Sequence, residues 1–348
     1  MNIKHIYCFT YFHLFSPTVR YRARYPLDLF LKKYNIPSSF VYPSYNPSKV
    51  YYFLKVYFSA LLFRKSNSII IIQRVHTNFI YSSALKILLY FQKKDTLYDL
   101  DDAEYFNFPP KSIHYFMKNC EACSVGSNAI IEYTQKYNPN VFLLTSPVLL
   151  HDITKKERNE LFTIGWIGDF GGEHKKSMFN IFFPAIINVN FQLKLIILGV
   201  RQERHRKEIE HYFSKNKNIS IEIPKDVNWQ DEMSVYERVK QFDIGVCPLV
   251  DNEITRAKSA FKIKQYFSCG IPSLCSNVGE NANFVQDGEN GFICNTPEEY
   301  LEKILRIKDF SEENYLKLSR NAKNSVIFFD MEHYCSKILE FYKTKNIN

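Results

Sequence analysis

A basic segment near residue 260 has the residue types that bind phosphate. Arg256 and Lys258 precede a predicted helix over Phe261–Cys269, and Lys262 lies in its first turn. Ser259 is the predicted N-cap of that helix. The N–H groups at a helix start and the positive end of its dipole add to the charge of nearby lysines, so the segment could hold a phosphate. The pattern also fits a solvated basic loop, because charge runs usually lie on solvated faces.

Carboxylates cluster after a predicted strand, Thr96–Leu100, in the first half of the chain. Asp99, Asp101 and Asp102 occupy three of four successive positions. Such a cluster is costly unless the carboxylates are solvated, paired with cations or bound to a metal ion. From these residues alone, all three alternatives stay open.

Two arginines, Arg20 and Arg22, lie in a predicted loop after the first strand, Ile3–Phe9. They could hold a phosphate or carboxylate of a substrate. They could equally be charges on a surface loop.

The stretch from Asp243 to Phe292 contains DIGVCPL, FKIKQYFSCGIPSLCSNVGEN and FVQDGENGF. It resembles the donor-binding half of the group 1 (family 4-like) retaining glycosyltransferases, which have the GT-B fold. The residues that match this family in order and spacing are Gln265, Cys269, Gly270, Pro272, Val278, Gly279, Asp287, Gly288, Asn290 and Gly291.

This resemblance implies two Rossmann-like domains, each an open parallel sheet, that face a cleft, with a C-terminal helix that crosses back to the first domain. It also implies transfer of a hexose-type sugar, with retention, from a UDP-sugar or GDP-sugar to a glycan or lipid-linked acceptor. Cell-surface polysaccharide synthesis is the expected role. No metal or other cofactor is expected, since GT-B enzymes generally need none.

The resemblance also implies roles for individual residues. In the catalytic role we expect Lys258, Lys262, Asp101 and Asp102, the two aspartates binding an acceptor hydroxyl or an arginine. Acceptor binding is expected at Arg20 and Arg22. Donor binding is expected at Gly168, Lys175, Trp229, Arg256, Ser259, Gln265, Glu280 and Asn281. A buried core position is the alternative for the tryptophan.

The sequence departs from the family pattern at three positions. Many members carry two glutamates eight positions apart, where this chain has Ala257 and Gln265, and Asn283 lies where relatives often have glutamate. The departures motivate a second hypothesis, an inert GT-B-like protein that binds a nucleotide sugar or a partner transferase. A third is a nucleotide-sugar epimerase, which would interconvert sugars without an acceptor.

Charge is distributed unevenly along the chain. The net charge is +9, and residues 1–150 contain 17 Lys/Arg against 8 Asp/Glu, which accounts for the whole excess. Such an asymmetry suggests an anionic partner, either a membrane or a lipid-diphosphate acceptor. Nucleic acid is not expected, because no nucleic-acid motif accompanies the charge. An aromatic, basic helix over Val50–Arg64 fits membrane contact, although a core helix with snorkelling lysines fits slightly better.

The eight cysteines are expected to be reduced, structural thiols. No secretory signal precedes them, and Cys120 and Cys123 form a lone CxxC without a second pair for zinc. No apolar run reaches the roughly 20 residues of a membrane span. We therefore expect a cytoplasmic protein, located at the inner face of the plasma membrane if it contacts a membrane at all.

Alternating strand and helix patterns predict an α/β fold with two domains and a tail. The 348 residues suit two domains of ordinary size. We predict an acceptor-binding domain at 1–155, a nucleotide-sugar-binding domain at 156–327 and a returning helix at 328–348. The run SIIIIQ at Ser68–Gln73 is typical of a strand buried on both faces.

Overall fold

The computed structural model describes residues 3–64, 66–75, 78–155 and 157–344. The chain divides into two compact units. The first unit comprises Met1–Pro147, Ala257–Ser259 and Phe329–Asn348, and the second comprises Val148–Arg256 and Ala260–Phe328. The boundary between the units therefore falls after Pro147, whereas the sequence predicted it after residue 155. Residue 156, which follows the predicted boundary, lies outside the described residues.

The first unit is a six-stranded parallel sheet in the order β2-β1-β3-β4-β5-β6. Its strands are β1 (His5–Thr10), β2 (Ser38–Val41), β3 (Ser68–Gln73), β4 (Thr96–Leu100), β5 (Ala122–Val125) and β6 (Val141–Leu143). Its α-helices are α1 (Pro17–Val19), α2 (Tyr25–Tyr34), α3 (Pro47–Leu62), α4 (Phe79–Phe91), α5 (Pro110–Asn119), α6 (Asn128–Gln135) and the C-terminal α16 (Met331–Thr344).

Alternate residues of these strands pack against different helices. Ile70 and Ile72 of β3 belong to the core that also contains residues of α3 and α4. Ile69 and Ile71 belong to the core formed with α2 and α16. Because successive side chains of a strand point to opposite faces, helices cover both sides of the sheet and β3 is buried throughout, as its sequence predicted.

The second unit is also a six-stranded parallel sheet, in the order β12-β11-β10-β7-β8-β9. Its strands are β7 (Thr163–Ile167), β8 (Leu193–Leu198), β9 (Ile219–Glu222), β10 (Ile244–Cys247), β11 (Ser273–Cys275) and β12 (Gly291–Ile293). Its α-helices are α7 (Gly172–Ser177), α8 (Phe183–Ile186), α9 (Glu203–Phe213), α10 (Glu232–Val239), α11 (Glu253–Arg256), α12 (Phe261–Ser268), α13 (Asn281–Phe284), α14 (Pro297–Lys308) and α15 (Glu312–Ser325).

Each sheet has a point at which the strand order reverses. In the first unit the chain passes from β2 to β3, on the other side of β1, and in the second it passes from β9 to β10, on the other side of β7. Loops that leave neighbouring strands in opposite directions open a crevice at the carboxyl ends of those strands, where α/β proteins bind ligands. Candidate sites therefore belong beside the ends of β1 and β3, and of β7 and β10.

The sequence predicted a loop around Arg20 and Arg22, and this prediction is wrong. Pro17–Val19 is α-helical and Arg20–Arg24 forms a π-helical turn that leads into α2. Val19, Ala23 and Leu27, four positions apart, all pack into the core with α16, and this apolar spacing explains the helix.

All eight cysteines are buried and free, as expected of structural thiols. Burial raises the pKa of the Cys123 thiol to about 12. Among the described residues, no helix is both long enough and apolar enough to span a bilayer.

Candidate functional site

Two glycine-containing turns pack against each other at the candidate site of the second unit, and we call them together the glycine turn. Gly168 follows β7 with φ 154°, and Gly199 follows β8 with φ 104°. A Cβ atom built on Gly199 would lie 1.8 Å from the carbonyl oxygen of Gly168, so only glycine fits there. A Cβ on Gly168 would in turn lie 2.6 Å from Cε of Lys262. The turn therefore brings bare backbone against a lysine side chain.

That lysine, Lys262, lies in the first turn of α12, as the sequence predicted. Its Nζ is 2.9 Å from Nε2 of His174 and 5.4 Å from the centroid of the Trp166 ring. A neutral imidazole accepts a hydrogen bond from the ammonium group, and the aromatic face attracts it through the ring quadrupole. Both contacts hold the ammonium group of Lys262 beside the glycine turn.

The start of α12 differs from the prediction. The residue before the helix is Ala260, which has left-handed backbone angles (φ 51°, ψ 29°), and no side chain caps the helix. Ser259 is therefore not the N-cap, because this left-handed residue separates its hydroxyl from the first helical N–H groups. A left-handed conformation costs a residue with a Cβ about 1–2 kcal/mol, and such strain concentrates at functional sites.

Both of the cations predicted to bind the donor, Arg256 and Lys175, are already paired with carboxylates. Nε and Nη2 of Arg256 donate to the carboxylate of Asp251 at 2.6 and 2.9 Å, and both side chains are exposed. Lys175 forms an ion pair with Glu208 at 2.6 Å. A phosphate would have to displace these carboxylates before it could contact either cation.

Trp229 lies beside the glycine turn. It is half-buried in the turn before α10, and its ring edge lies 3.4 Å from a Cβ built on Gly199. The structure thus brings together two predicted donor-binding residues, Gly168 and Trp229, and the predicted catalytic residue Lys262.

The remaining predicted donor-site residues are buried. The Asn281 amide donates to the carbonyl oxygens of Cys247 and Ser276 at 3.3 and 3.4 Å, which links it to the end of β10. The carboxylate of Glu280 accepts a hydrogen bond from Asn283 at 3.0 Å. Gln265 lies on α12 with 7% of its surface exposed.

A buried ion pair dominates the corresponding edge of the first unit. The guanidinium of Arg22 pairs with the carboxylate of Asp99 through two nitrogens, with Nε at 3.0 Å from Oδ2. Ser124 and Gln73 donate to the same carboxylate at 2.7 and 2.9 Å. Burial opposes the charge on Arg22, but the nearby carboxylates raise its pKa well above the usual value. Arg22 thus lies inside the protein, and not on a surface loop.

The two aspartates after β4 have different environments. Asp101 accepts a hydrogen bond from Ser146 at 2.9 Å and lies 3.5 Å from Arg22, and burial raises its pKa. Asp102, which is half-exposed, pairs with Lys258 at 3.0 Å, and this carboxylate raises the pKa of the lysine. Both carboxylates are therefore paired with cations, one of the alternatives that the sequence left open.

Arg20, the other predicted acceptor-binding residue, is buried in the π-helical turn. Among the described residues, no group of three or more His, Cys, Asp or Glu side chains is arranged to hold a metal ion.

Sequence reasoning missed the partners of the predicted cations. The sequence predicted Lys175 for donor binding, whereas the neighbouring His174 is the residue that contacts Lys262. Trp166 looked like an ordinary residue of a buried strand. Asp99 belonged to the noted carboxylate cluster, but nothing in the sequence indicated that it would pair with Arg22, 77 positions away.

Comparison with known proteins agrees with this architecture. Residues 162–309 match the family model of the glycosyl transferases group 1. No curated protein matches the chain by sequence.

Several solved structures share the fold over the whole chain. Sucrose-phosphate synthase from Thermosynechococcus elongatus is 11% identical, with a TM-score of 0.70 and 99% of each chain covered. A glycosyltransferase from Rickettsia africae is 13% identical, with a TM-score of 0.67 and 99% coverage of each chain. HepE of Anabaena, solved in complex with UDP and glucose, is 12% identical, with a TM-score of 0.67, 98% of this chain and 99% of that chain covered. The chain has the GT-B fold, as predicted.

Proposed function

We propose that the protein is a glycosyltransferase that moves a hexose-type sugar from a UDP-sugar or GDP-sugar to a glycan or lipid-linked acceptor, with retention of the anomeric configuration. The role we assign is cell-surface polysaccharide synthesis on the cytoplasmic side of the membrane. Support comes from the match to the group 1 family model and from similarity to HepE, which was solved with UDP and glucose.

One observation carries the proposal: Lys262 lies beside the Gly168 turn, at the point where the second sheet reverses its strand order. In the proposed reaction the bare backbone admits the donor diphosphate, the lysine balances its charge, and His174 holds the lysine in place. Trp229 stacks on the nucleotide base. Stabilising the departing diphosphate with preorganised charge is the main catalytic contribution that such a site can make.

The carboxylates of the first unit have a separate role in this proposal. Asp102 is half-exposed, so one of its oxygens can accept a hydrogen bond from an acceptor hydroxyl while the other remains with Lys258. The reaction is proposed to need no metal, so EDTA should leave turnover unchanged.

Binding is tested by a thermal-shift screen of UDP, GDP, ADP and CDP. A ligand that binds only the folded state raises the melting temperature, so the correct diphosphate should stabilise the wild type. Lys262→Ala should weaken its binding by about 10- to 100-fold, because a hydrogen bond to a charged group contributes roughly 1.5–3 kcal/mol. Lys303→Ala, which removes a half-buried lysine of α14 in the same unit, is the matched control. Equal shifts in all three proteins would remove Lys262 from the site.

Turnover separates this proposal from the alternatives. Release of nucleoside diphosphate that requires an acceptor, with a product whose anomeric configuration matches the donor by NMR, is the expected result. An inert binding protein would bind the donor without releasing diphosphate. One observation favours that second candidate: Ala257, where relatives carry a glutamate, is buried in the core of the first unit, so no carboxylate stands at this position. Sugar interconversion without an acceptor would indicate an epimerase.

A further inference from the structure

One helix of the first unit exposes large apolar side chains along its outer face. Tyr51, Leu54, Phe58 and Leu62 of α3 are between 44% and 71% exposed. Their spacing puts them on a single side of the helix. The opposite side, with Val56 and Ala60, is buried against the sheet. The exposed side is therefore not a core surface.

The next helix has the same property. Ile80, Ile87, Tyr90 and Phe91 of α4 are between 53% and 80% exposed. The spacing of seven and eleven positions from Ile80 again defines one face. An ordinary surface helix carries charged or polar residues at such positions, so the pattern is inverted here.

Three contacts hold the two helices side by side. The Tyr57 hydroxyl donates to the carbonyl oxygen of Ala84 at 2.8 Å. The Gln92 side-chain amide donates to the carbonyl oxygen of Leu61 at 2.8 Å. The rings of Phe53 and Tyr81 lie 5.4 Å apart. The two exposed stripes thus form one surface, which we call the aromatic face: Tyr51, Leu54, Phe58, Leu62, Phe63, Phe79, Ile80, Ile87, Tyr90 and Phe91. Contiguous apolar surfaces of this kind mark interaction sites.

Exposed lysines lie within and beside the aromatic face. Residues 29–94 contain ten lysines and arginines and neither an aspartate nor a glutamate. Lys55 lies within the exposed face of α3, and Lys93 and Lys94 are exposed directly after α4. Arg64 does not contribute, because its guanidinium is turned inward to Asp95. A second copy of the chain would bring positive charges opposite positive charges, whereas an anionic surface would pair with them.

We propose that the aromatic face binds the surface of an anionic lipid bilayer, with its rings at the level of the headgroups and its lysines among the lipid phosphates. Aromatic and aliphatic side chains at this depth contribute buried apolar area, and nearby lysines add electrostatic attraction. Tyrosine suits this boundary because its ring is apolar and its hydroxyl stays in water. The inference does not depend on the proposed sugar transfer.

Co-sedimentation of the full chain with vesicles tests the proposal. Vesicles of phosphatidylcholine with phosphatidylglycerol should bind the protein at low salt, and vesicles of phosphatidylcholine alone should bind it at least about tenfold more weakly. Leu62→Ser with Phe91→Ser should reduce binding to the anionic vesicles by about tenfold or more, because two side chains that enter the headgroup region are lost. The matched control is Leu305→Ser, an exposed leucine on α14 of the second unit, which should bind like the wild type.

A second variant tests the contribution of the lysines separately from that of the apolar side chains. Lys55→Glu with Lys94→Glu alters only exposed side chains and should weaken binding by roughly fivefold for each lysine removed, or more. Equal binding to both kinds of vesicle, or binding that none of these variants weakens, would overturn the proposal. So would a dimer in sedimentation equilibrium that Leu62→Ser dissociates, because a second copy would then cover the face.

Discussion

The carboxyl edges of the two sheets hold their positive charges in opposite ways. In the first unit, the Arg22 guanidinium is enclosed by the carboxylate of Asp99, the carbonyl oxygen of Leu144 and the hydroxyl of Ser146. In the second unit, Lys262 contacts an imidazole and an aromatic ring, next to backbone without side chains. The carboxylate of Asp99 balances the charge of Arg22 within the first unit.

This difference separates a structural network around Arg22 in the first unit from a candidate binding site around Lys262 in the second. A buried arginine that is paired on several sides cannot turn to a substrate without leaving carboxylates unpaired in the interior. The network also reaches α16, since the Tyr334 hydroxyl donates to the backbone carbonyl of Arg22 at 3.2 Å. Arg22 therefore stabilises the first unit, and ligand binding is better sought at Lys262.

The largest effect that would test this contrast is expected for Asp99→Ala. It leaves the buried Arg22 without its main partner, which should lower the free energy of unfolding by about 3–5 kcal/mol. Urea denaturation measures the change.

The matched control is Glu302→Ala, which removes the carboxylate from the exposed pair with Lys303 and should leave the midpoint unchanged. If Asp99→Ala unfolds at the same urea concentration as the wild type, the first network does not stabilise the unit.

The sequence predicts the features that depend on neighbouring residues, and it does not predict the contacts between residues that are far apart in the chain. The buried strands and the lysine at the start of α12 follow from local patterns, since β-branched runs and helix signals lie within a few residues. The Arg22–Asp99 pair and the Lys262–His174 contact span 77 and 88 positions, and no local pattern encodes them. The predicted cap at Ser259 is wrong because Ala260, in a left-handed conformation, lies between it and the helix, and the local helix signals do not encode that conformation.

The second prediction tests whether the glycine turn is built for close approach of backbone. Gly199→Ala places a Cβ atom 1.8 Å from the carbonyl oxygen of Gly168 and needs a positive φ. We expect a loss of about 2–4 kcal/mol of stability and weaker binding of the nucleoside diphosphate. Thermal unfolding with and without the ligand measures both.

Gly171→Ala is the control in the neighbouring turn. That residue has an extended backbone with φ −165°, and nothing lies within 4 Å of its added Cβ. Its stability should stay within about 0.5 kcal/mol of the wild type. If both alanine variants behaved alike, tight packing at Gly199 would not be what shapes the site.

The smallest expected effect concerns the protonation of one histidine in the second unit. The second unit contains a half-buried histidine, His151, whose ring lies 4.1 Å from the Tyr236 ring and 3.3 Å, through Nε2, from the Ser268 hydroxyl. Burial, with a contribution from Lys323, lowers its pKa from 6.5 to about 4. The unfolded chain therefore binds a proton at a higher pH than the folded one. The stability that the neutral ring contributes is present above pH 6.5 and is lost as the pH falls towards 4.

Because the ring is only half-buried, solvent screening reduces the expected loss over this range to about 1–2 kcal/mol. His151→Phe keeps the ring against Tyr236 but cannot titrate, so the difference in its unfolding free energy between pH 7 and pH 4.5 should be smaller than in the wild type by about that amount. Comparing this difference between the two proteins cancels the contribution of the other titrating groups, which both proteins share. An equal acid dependence in both proteins would show that the histidine is protonated as readily in the fold as in the unfolded chain. The acid sensitivity of the protein would then have to come from other groups.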